Sequence, residues 1–378
     1  MQRGDLSGRS DTVVAMARTD VPRLENRKVY SGVTPTRNNE SYHAALKRDS
    51  AEPLNRPSAM TLFDEGNPIS KGDYVVPRVL TELGGVPHPF PYQGSKRGLA
   101  SAIIPMIPKN TNRIIEPFAG SAAISIAARY SGRVQETIIN DINQPLMNLW
   151  YAIINSPVEL SNAYACIWEK GKADPRNWFM KIRSDFNKNQ KPEMLLYLLN
   201  RIVKGAIRYS SSGAFNQSAD NRRIGARPQI VRDRLVRTAN TMCNTVVLAG
   251  SFEPLLLSAK PNDVVYLDPP YQGTSGLTPD HRYASGLSRK LFESALSEAV
   301  RSDISFIVSY DQIRDDNKYG YPLSSDLGLT HLHISSGYSA QATLLGKLER
   351  SIESLYLSPA LVSRLDATTR KSTFEFAA

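Results

Sequence analysis

The sequence predicts an α/β protein built on a parallel sheet with helices on its faces. Three observations carry that expectation. Short Ile- and Val-rich runs alternate with segments of helical apolar spacing. Several of these runs end in an acidic residue followed by a turn of small residues or prolines. The alternation begins only after about 85 polar residues, so one folded block is expected behind an N-terminal extension.

Element by element, residues 1–85 are rich in Ser, Asn, Arg and Pro and lack apolar periodicity. They are expected to be mostly disordered, with a short helix near 42–47. Residues 99–107 suit a helix closed by Pro108. Residues 113–116 read as a strand, 122–130 as a helix, 137–140 as a second strand ending at Asp141, and 145–154 as a returning helix. Right-handed crossovers would bring the carboxyl ends of such strands to one rim. The alternation breaks over 173–244. There, 194–203 is helical, with Leu195, Leu198, Leu199 and Ile202 on one face, and 208–228 is polar and glycine-containing. Strands return at 245–248 and 263–267. A helix at 288–301 then precedes strands at 304–309, 331–335 and 352–357.

Composition narrows the function classes. The two cysteines, Cys166 and Cys243, have no paired spacing, which fits a reducing cytoplasm and excludes a disulfide framework. Five scattered histidines offer no metal-ligand cluster, so no metal is expected. No apolar run approaches a membrane span, and the first ten residues lack a signal peptide's apolar region, so a cytoplasmic location is expected. The net charge of +10 is local: residues 176–237 hold 14 basic and 4 acidic side chains, and the remainder balances. Such concentration suits a phosphate-binding surface, with a solvated basic face as the plainer alternative.

The most specific feature is Asp268-Pro269-Pro270-Tyr271 after the apolar run 264–267. Two prolines remove two backbone donors and fix two φ angles, and the first drives Asp268 into an extended conformation. A stiff corner results, bearing a carboxylate, a carbonyl and an aromatic ring, suited to a planar group with an amine. A plain proline turn is the alternative. Two further features fall at predicted strand ends. Glu116-Pro117-Phe118-Ala119-Gly120-Ser121 is a small-residue turn that allows close approach of a ligand. Asp141 is placed either to take up ribose hydroxyls or to cap a helix. No phosphate-cradling G-x-x-x-x-G-K-[ST] or G-x-G-x-x-G loop occurs, which points to a ribose-bearing ligand without pyrophosphate.

Tyr92-Gln93-Gly94-Ser95-Lys96-Arg97, then Glu116 to Ser121, then Asn140-Asp141-Ile142-Asn143, then Asp268 to Tyr271 resemble, in order, the motifs of the Dam-like DNA adenine N6-methyltransferases of the α group. The likeness spans about 87–359. It includes Arg208-Tyr209-Ser210 with Gly213-Ala214-Phe215-Asn216, then Ser309-Tyr310-Asp311, and Glu353-Ser354-Leu355-Tyr356. Three positions depart from the family pattern: Ala122 replaces the last glycine of the turn, Ser210 an asparagine and Ala214 a glutamate.

The resemblance implies a Rossmann-like S-adenosylmethionine-dependent methyltransferase sheet with an inserted, mostly helical DNA-recognition domain. The implied division is a cofactor-binding part (86–172), a target-recognition insertion (173–244), a catalytic part (245–360) and a C-terminal tail (361–378). It implies methyl transfer from S-adenosyl-L-methionine to N6 of a flipped-out adenine in double-stranded DNA. Tyr92, Gly94, Lys96, Phe118, Gly120, Asp141 and Asp268 are the implied cofactor contacts, and Asp268, Pro269, Pro270 and Tyr271 the catalytic group. Lys204, Arg208, Tyr209, Asn216, Arg222, Arg223 and Arg227 are the expected DNA contacts. A monomer is expected, with a cognate restriction endonuclease as a possible partner. The rivals are an N4-cytosine enzyme, where Ser is commoner at position 268, an RNA or protein-amide methylase, where Asn is, and a silent DNA-binding module.

Overall fold

Five consecutive buried residues, Asp263–Leu267, form the central strand of the sheet, and 264–267 read in sequence as an unbroken apolar run because the strand is buried on both faces. The computed structural model describes residues 14–15, 74–75, 83–270, 287–314, 317–319, 322–338 and 350–375. All of them belong to one compact unit, Met1–Ala15 with Ser70–Ala378. Its strands are β1 (Val14–Ala15), β2 (Tyr74–Val75), β3 (Arg113–Glu116), β4 (Glu136–Asp141), β5 (Thr245–Ala249), β6 (Asp263–Leu267), β7 (Phe306–Arg314), β8 (Asn317–Tyr319), β9 (Thr330–Tyr338) and β10 (Arg350–Leu357).

They form one sheet in the order β1-β5-β4-β3-β6-β7-β10-β9-β2, with β8 paired to β7. The run β5-β4-β3-β6-β7 is parallel, and β10 enters antiparallel between β7 and β9. The mixed α/β architecture expected from the sequence is therefore present. The two edge dipeptides come from the N-terminal segment, where the sequence offered no strand signal. The helix expected near 42–47 lies outside the described residues.

The helices are α1 (Ala100–Ile103), α2 (Ala123–Tyr130), α3 (Gln144–Asn155), α4 (Pro157–Lys170), α5 (Pro175–Asn189), α6 (Pro192–Arg201), α7 (Pro228–Thr241), α8 (Phe252–Leu257), α9 (Arg289–Arg301) and α10 (Pro359–Glu375). The single helix expected over 99–107 is instead α1 between two 3-10 turns, Lys96–Leu99 and Ile104–Met106. Pro105 supplies no backbone donor, which stops α-helical hydrogen bonding there. Between β4 and β5, α3, α4, α5, α6 and α7 pack into one apolar core around Trp150, Tyr164, Phe179, Leu195 and Leu235. A second core joins α8 and α9 to the sheet through Phe252, Phe292, Val265 and Phe306. No helix of the described residues is long and apolar enough to cross a membrane.

Candidate active site

The chain leaves β3 towards β4 and β5 on one side and later returns through β6 to β7 on the other. The carboxyl ends of β3 and β6 therefore flank a topological switch point, where open α/β sheets hold ligands. The turn after β3 is bound on several sides. Gly120 N–H donates to Asp141 Oδ2 at 3.1 Å, Trp150 Nε1 donates to the Gly120 carbonyl at 2.9 Å, and Ala119 N–H donates to the Asn140 carbonyl at 2.8 Å. Ser121 Oγ donates to Ser95 Oγ at 2.9 Å, joining the turn to the segment before α1. Gly120 has φ +48° and Ala122 φ +47°. The left-handed value at Ala122 explains why glycine suits this turn, since a Cβ there costs roughly 1–2 kcal/mol. The fully buried methyl of Ala122 offsets part of that cost. Under the turn, Glu116 accepts hydrogen bonds from Ser125 N–H and Oγ, and burial lifts its carboxyl to about 8.

Asp141 ends β4 and ties two loops together, accepting from Gly120 N–H and, at 3.0 Å, from Asn143 N–H. It does not cap the following helix. Asn143 does, its Oδ1 accepting from Leu146 N–H at 3.2 Å. Burial raises the Asp141 carboxyl above its ordinary value. Beside it, the buried Asn140 amide donates to the carbonyls of Pro117 and Gly250, each at 3.0 Å.

Asp268 follows β6 directly, with Pro269 buried and Pro270 half-buried; Tyr271 lies outside the described residues. Lys96 Nζ stands 3.5 Å from Asp268 Oδ1 and 2.7 Å from Glu353 Oε2 of β10. Burial pushes the Asp268 carboxyl up to about 7, Lys96 opposes that rise, and Glu353 adds to it. Below, Tyr266 and Ser309 share a 2.7 Å hydroxyl contact between β6 and β7. Among the described residues, no three of His, Cys, Asp and Glu gather as a metal-binding group.

Tyr92 packs edge-on to Phe90 and lies over Gly120. Gly94 has φ +84° in the exposed turn before Lys96. Phe118 stacks on Phe252 with ring centroids 5.0 Å apart. The structure thus gathers Tyr92, Lys96, Gly120, Asp141 and Asp268 around the ends of β3, β4 and β6. Ser95, Trp150, Asn143 and Glu353 join them without having been singled out individually in the sequence. Glu353 could be sensed only as the close of a motif, and Trp150 gave no signal.

The expected DNA contacts lie further along. Tyr209 is half-buried, forms an isolated bridge with Phe215, and donates its hydroxyl to Asn143 Oδ1 at 3.1 Å. Arg208, Asn216, Arg222, Arg223 and Arg227 are exposed, and Lys204 lies in the 3-10 turn Val203–Gly205. Gly205 (φ +63°) lets that turn meet the backbone of Pro91, where a Cβ would stand 2.2 Å from the carbonyl oxygen. Arg222 is already forked onto Asp220, Nε to Oδ1 at 2.9 Å and Nη2 to Oδ2 at 3.2 Å, and Arg223 approaches the same carboxylate at 3.4 Å.

Residues 92–337 match the family model for D12 class N6 adenine-specific DNA methyltransferases. Among similar proteins, the Retron Ec67 DNA adenine methylase of Escherichia coli is 28% identical over 232 residues, covering 58% of this chain and 78% of that one. The type II methyltransferase M.MjaIII of Methanocaldococcus jannaschii is 26% identical over 199 residues, 48% of this chain and 68% of its own. The DNA adenine methylase of Haemophilus influenzae is 25% identical over 227 residues, 58% and 77%. The family match runs from the segment bearing Tyr92 and Lys96, through the switch point, to the end of β9, and on its extent this chain belongs to the D12 class of N6 adenine-specific DNA methyltransferases.

Proposed function

We propose that the crevice at the β3–β6 switch point holds S-adenosylmethionine beside the target adenine, and that Asp268 activates the amine to be methylated. The residues present fit such a cofactor. A carboxylate, Asp141, stands at a strand end where ribose hydroxyls would meet it. The bare Gly120 backbone lies under Tyr92. When bound, the cofactor supplies an electrophilic sulfonium methyl group. On this reading, Tyr92, Gly94, Lys96, Phe118, Gly120 and Asp141 bind and orient it.

The chain's own chemistry acts on the amine. An adenine N6 lone pair is delocalised into the ring, so the nitrogen is a poor nucleophile. Asp268 and the Pro269 carbonyl, accepting hydrogen bonds from its two N–H groups, bias that nitrogen towards a tetrahedral arrangement. The lone pair would then form the N–C bond as the methyl carbon's bond to sulfur breaks, its electron pair leaving on sulfur, and the nitrogen sheds one proton, for which ionised Asp268 is the acceptor. Pro269 and Pro270 hold the corner rigid, and Tyr271 stacks on the base, so much of the gain is orientation.

The target must leave the duplex to reach this corner. Lys204, Arg208, Tyr209, Asn216, Arg222, Arg223 and Arg227 of the 173–244 insertion are proposed to hold double-stranded DNA, mostly through phosphates. The parts 86–172 and 245–360 would bind cofactor and carry out transfer. A monomer acting on DNA in the cytoplasm, with or without a cognate restriction endonuclease, completes the reading.

The single observation that carries the proposal is Asp268 at the end of β6, beside the switch point, with its carboxyl titrating at about 7. Nucleoside mass spectrometry of unmethylated plasmid incubated with protein and S-adenosylmethionine tests it. N6-methyl-2′-deoxyadenosine from wild type, absent with Asp268→Ala while DNA binding persists, is expected. N4-methylcytosine, or undiminished product from Asp268→Ala, would overturn it.

A further inference from the structure

Two carboxylates share one ammonium group at the head of β6. Lys96 Nζ is 2.7 Å from Glu353 and 3.5 Å from Asp268, and the Lys96, Glu353 and Asp268 side chains are 9%, 11% and 20% exposed. Among the described residues, one ammonium group stands between these two carboxylates. The shorter contact is to Glu353, so the ammonium group is drawn towards it and away from Asp268, the group asked to accept from the target amine. Glu353 is 257 residues from Lys96 in sequence and reaches it from β10. The β7–β10 ladder shifts register between Glu353 and Leu355. Irregular pairing of this kind re-aims a side chain beside a functional site. Stability gives little reason for the arrangement, since an apolar group of similar volume commonly serves a sheet interior as well as a buried ion pair does.

We propose that Glu353 is a positioning residue for methyl transfer: it holds the Lys96 ammonium group to itself and so leaves a carboxylate oxygen of Asp268 to the target amine. This rests on the reading of Asp268 as the amine's acceptor. With Glu353 removed, the ammonium group closes on Asp268 and competes with the substrate N–H for the same oxygen.

Among the described residues, the charged and titratable groups facing Asp268 are Lys96 from the segment before α1, Glu353 from β10, Glu116 from β3 and Tyr266 from β6. Glu116, lifted to about 8, is mostly neutral at neutral pH, and the Tyr266 hydroxyl titrates well above its ordinary value. After burial, which raises the Asp268 carboxyl most, Lys96 and Glu353 are the charges among the described residues that act on it, and they act in opposite directions.

The test is the pH dependence of kcat/KM for DNA at saturating S-adenosylmethionine, which reports the ionisations of the DNA-free enzyme. Wild type, Glu353→Gln, Lys96→Met and Asp268→Asn are compared, with melting temperatures recorded. Glu353→Gln should lower kcat about tenfold or more at neutral pH and move the acid limb down by about one pH unit. Lys96→Met should move that limb up. Opposed shifts support the proposal, because a merely structural role would change the folded fraction without moving the limb both ways. A limb that stays in place, or moves the same way in both variants, overturns it. If Glu353→Gln does not fold, Lys96→Met alone must raise the limb, and its failure to do so overturns the proposal. Wild-type activity in Asp268→Asn would bring down the acceptor reading itself, and the role of Glu353 with it.

Discussion

The Tyr92 ring lies against the bare backbone of Gly120: a Cβ built on Gly120 would stand 2.8 Å from Tyr92 Cε1. The same residue has φ +48°, so its lack of a side chain serves both the turn and the ring above it. Gly120→Ala should displace Tyr92 and weaken S-adenosylmethionine binding at least tenfold, about 1.4 kcal/mol, by calorimetry. Gly213→Ala is the matched control, since Gly213 also has positive φ (+77°) but meets nothing within 4 Å. Its cofactor affinity should stay within about threefold of wild type, a difference under 1 kcal/mol. Equal losses in both variants would show that backbone strain alone, not the contact with Tyr92, governs the effect.

Two buried carboxyls make the folded state lean towards acid. Burial raises Glu116 to about 8 and Asp268 to about 7. Each binds its proton more tightly folded than unfolded, so unfolding stability has a negative slope with pH wherever the folded form is protonated and the unfolded form is not. Their joint contribution is complete below about pH 4, the unfolded value, and is lost as pH rises through 7 and 8. Melting temperatures across pH 5 to 9 should fall, and Glu116→Gln should flatten the upper part of that decline. On the proposed role of Asp268 as acceptor for the amine, activity runs the other way, because its ionised form takes the proton, so methylation should rise through about pH 7 as stability declines. A wild-type melting temperature that climbs across this range would contradict the assignment.

How far the site could be read in advance depended on whether its residues are neighbours in sequence. Asp268 and its prolines were legible because β6 is buried on both faces and so reads as an uninterrupted apolar run into a stiff corner. The Glu116–Ser121 turn was legible because a left-handed residue and a close-lying ring both call for small side chains. α5 was missed although Phe179, Ile182 and Phe186 recur on one face, because charged residues crowd the rest of that helix. Trp150 and Glu353 were not legible as site residues. What they do is set by partners 30 and 257 residues away, Gly120 and Lys96, and no local pattern encodes that meeting.

Tyr209 joins the segment between α6 and α7 to the turn after β4 through its hydroxyl bond to Asn143 Oδ1. The same oxygen caps α3 at Leu146 N–H, one residue pair beyond Asp141. Tyr209→Phe keeps the ring and its edge-on packing on Phe215 while removing only the donor. The expected loss is about 1 kcal/mol of stability, the usual worth of one such hydrogen bond. Because the cap itself survives, Asn143→Ala should cost more. A double-mutant cycle between the two positions should give a coupling above about 0.5 kcal/mol, as for residues in one hydrogen-bond network. Additive effects would mean that the contact contributes nothing.

On the proposed DNA contacts, the exposed arginines between α6 and α7 should not contribute equally to DNA binding. Arg222 is forked onto Asp220, and Arg223 shares that carboxylate, so the pair presents less net positive charge than its count suggests. Arg208 and Arg227 are exposed, and no ion pair links either to a carboxylate among the described residues. A phosphate contact neutralised on binding releases counterions and contributes about 0.9 to the slope of log affinity against log salt. Arg208→Ala and Arg227→Ala should therefore each reduce that slope by about one. Arg222→Ala should reduce it by clearly less, because Asp220 already occupies its guanidinium. Asp220→Asn removes the competing charge and should steepen the slope while loosening the fork that fixes Arg222. Fluorescence anisotropy with a duplex, from about 50 to 200 mM salt, separates these outcomes. An Arg222→Ala slope change as large as that of Arg208→Ala would show that phosphate displaces Asp220 in the complex, making the carboxylate a holding partner rather than a brake.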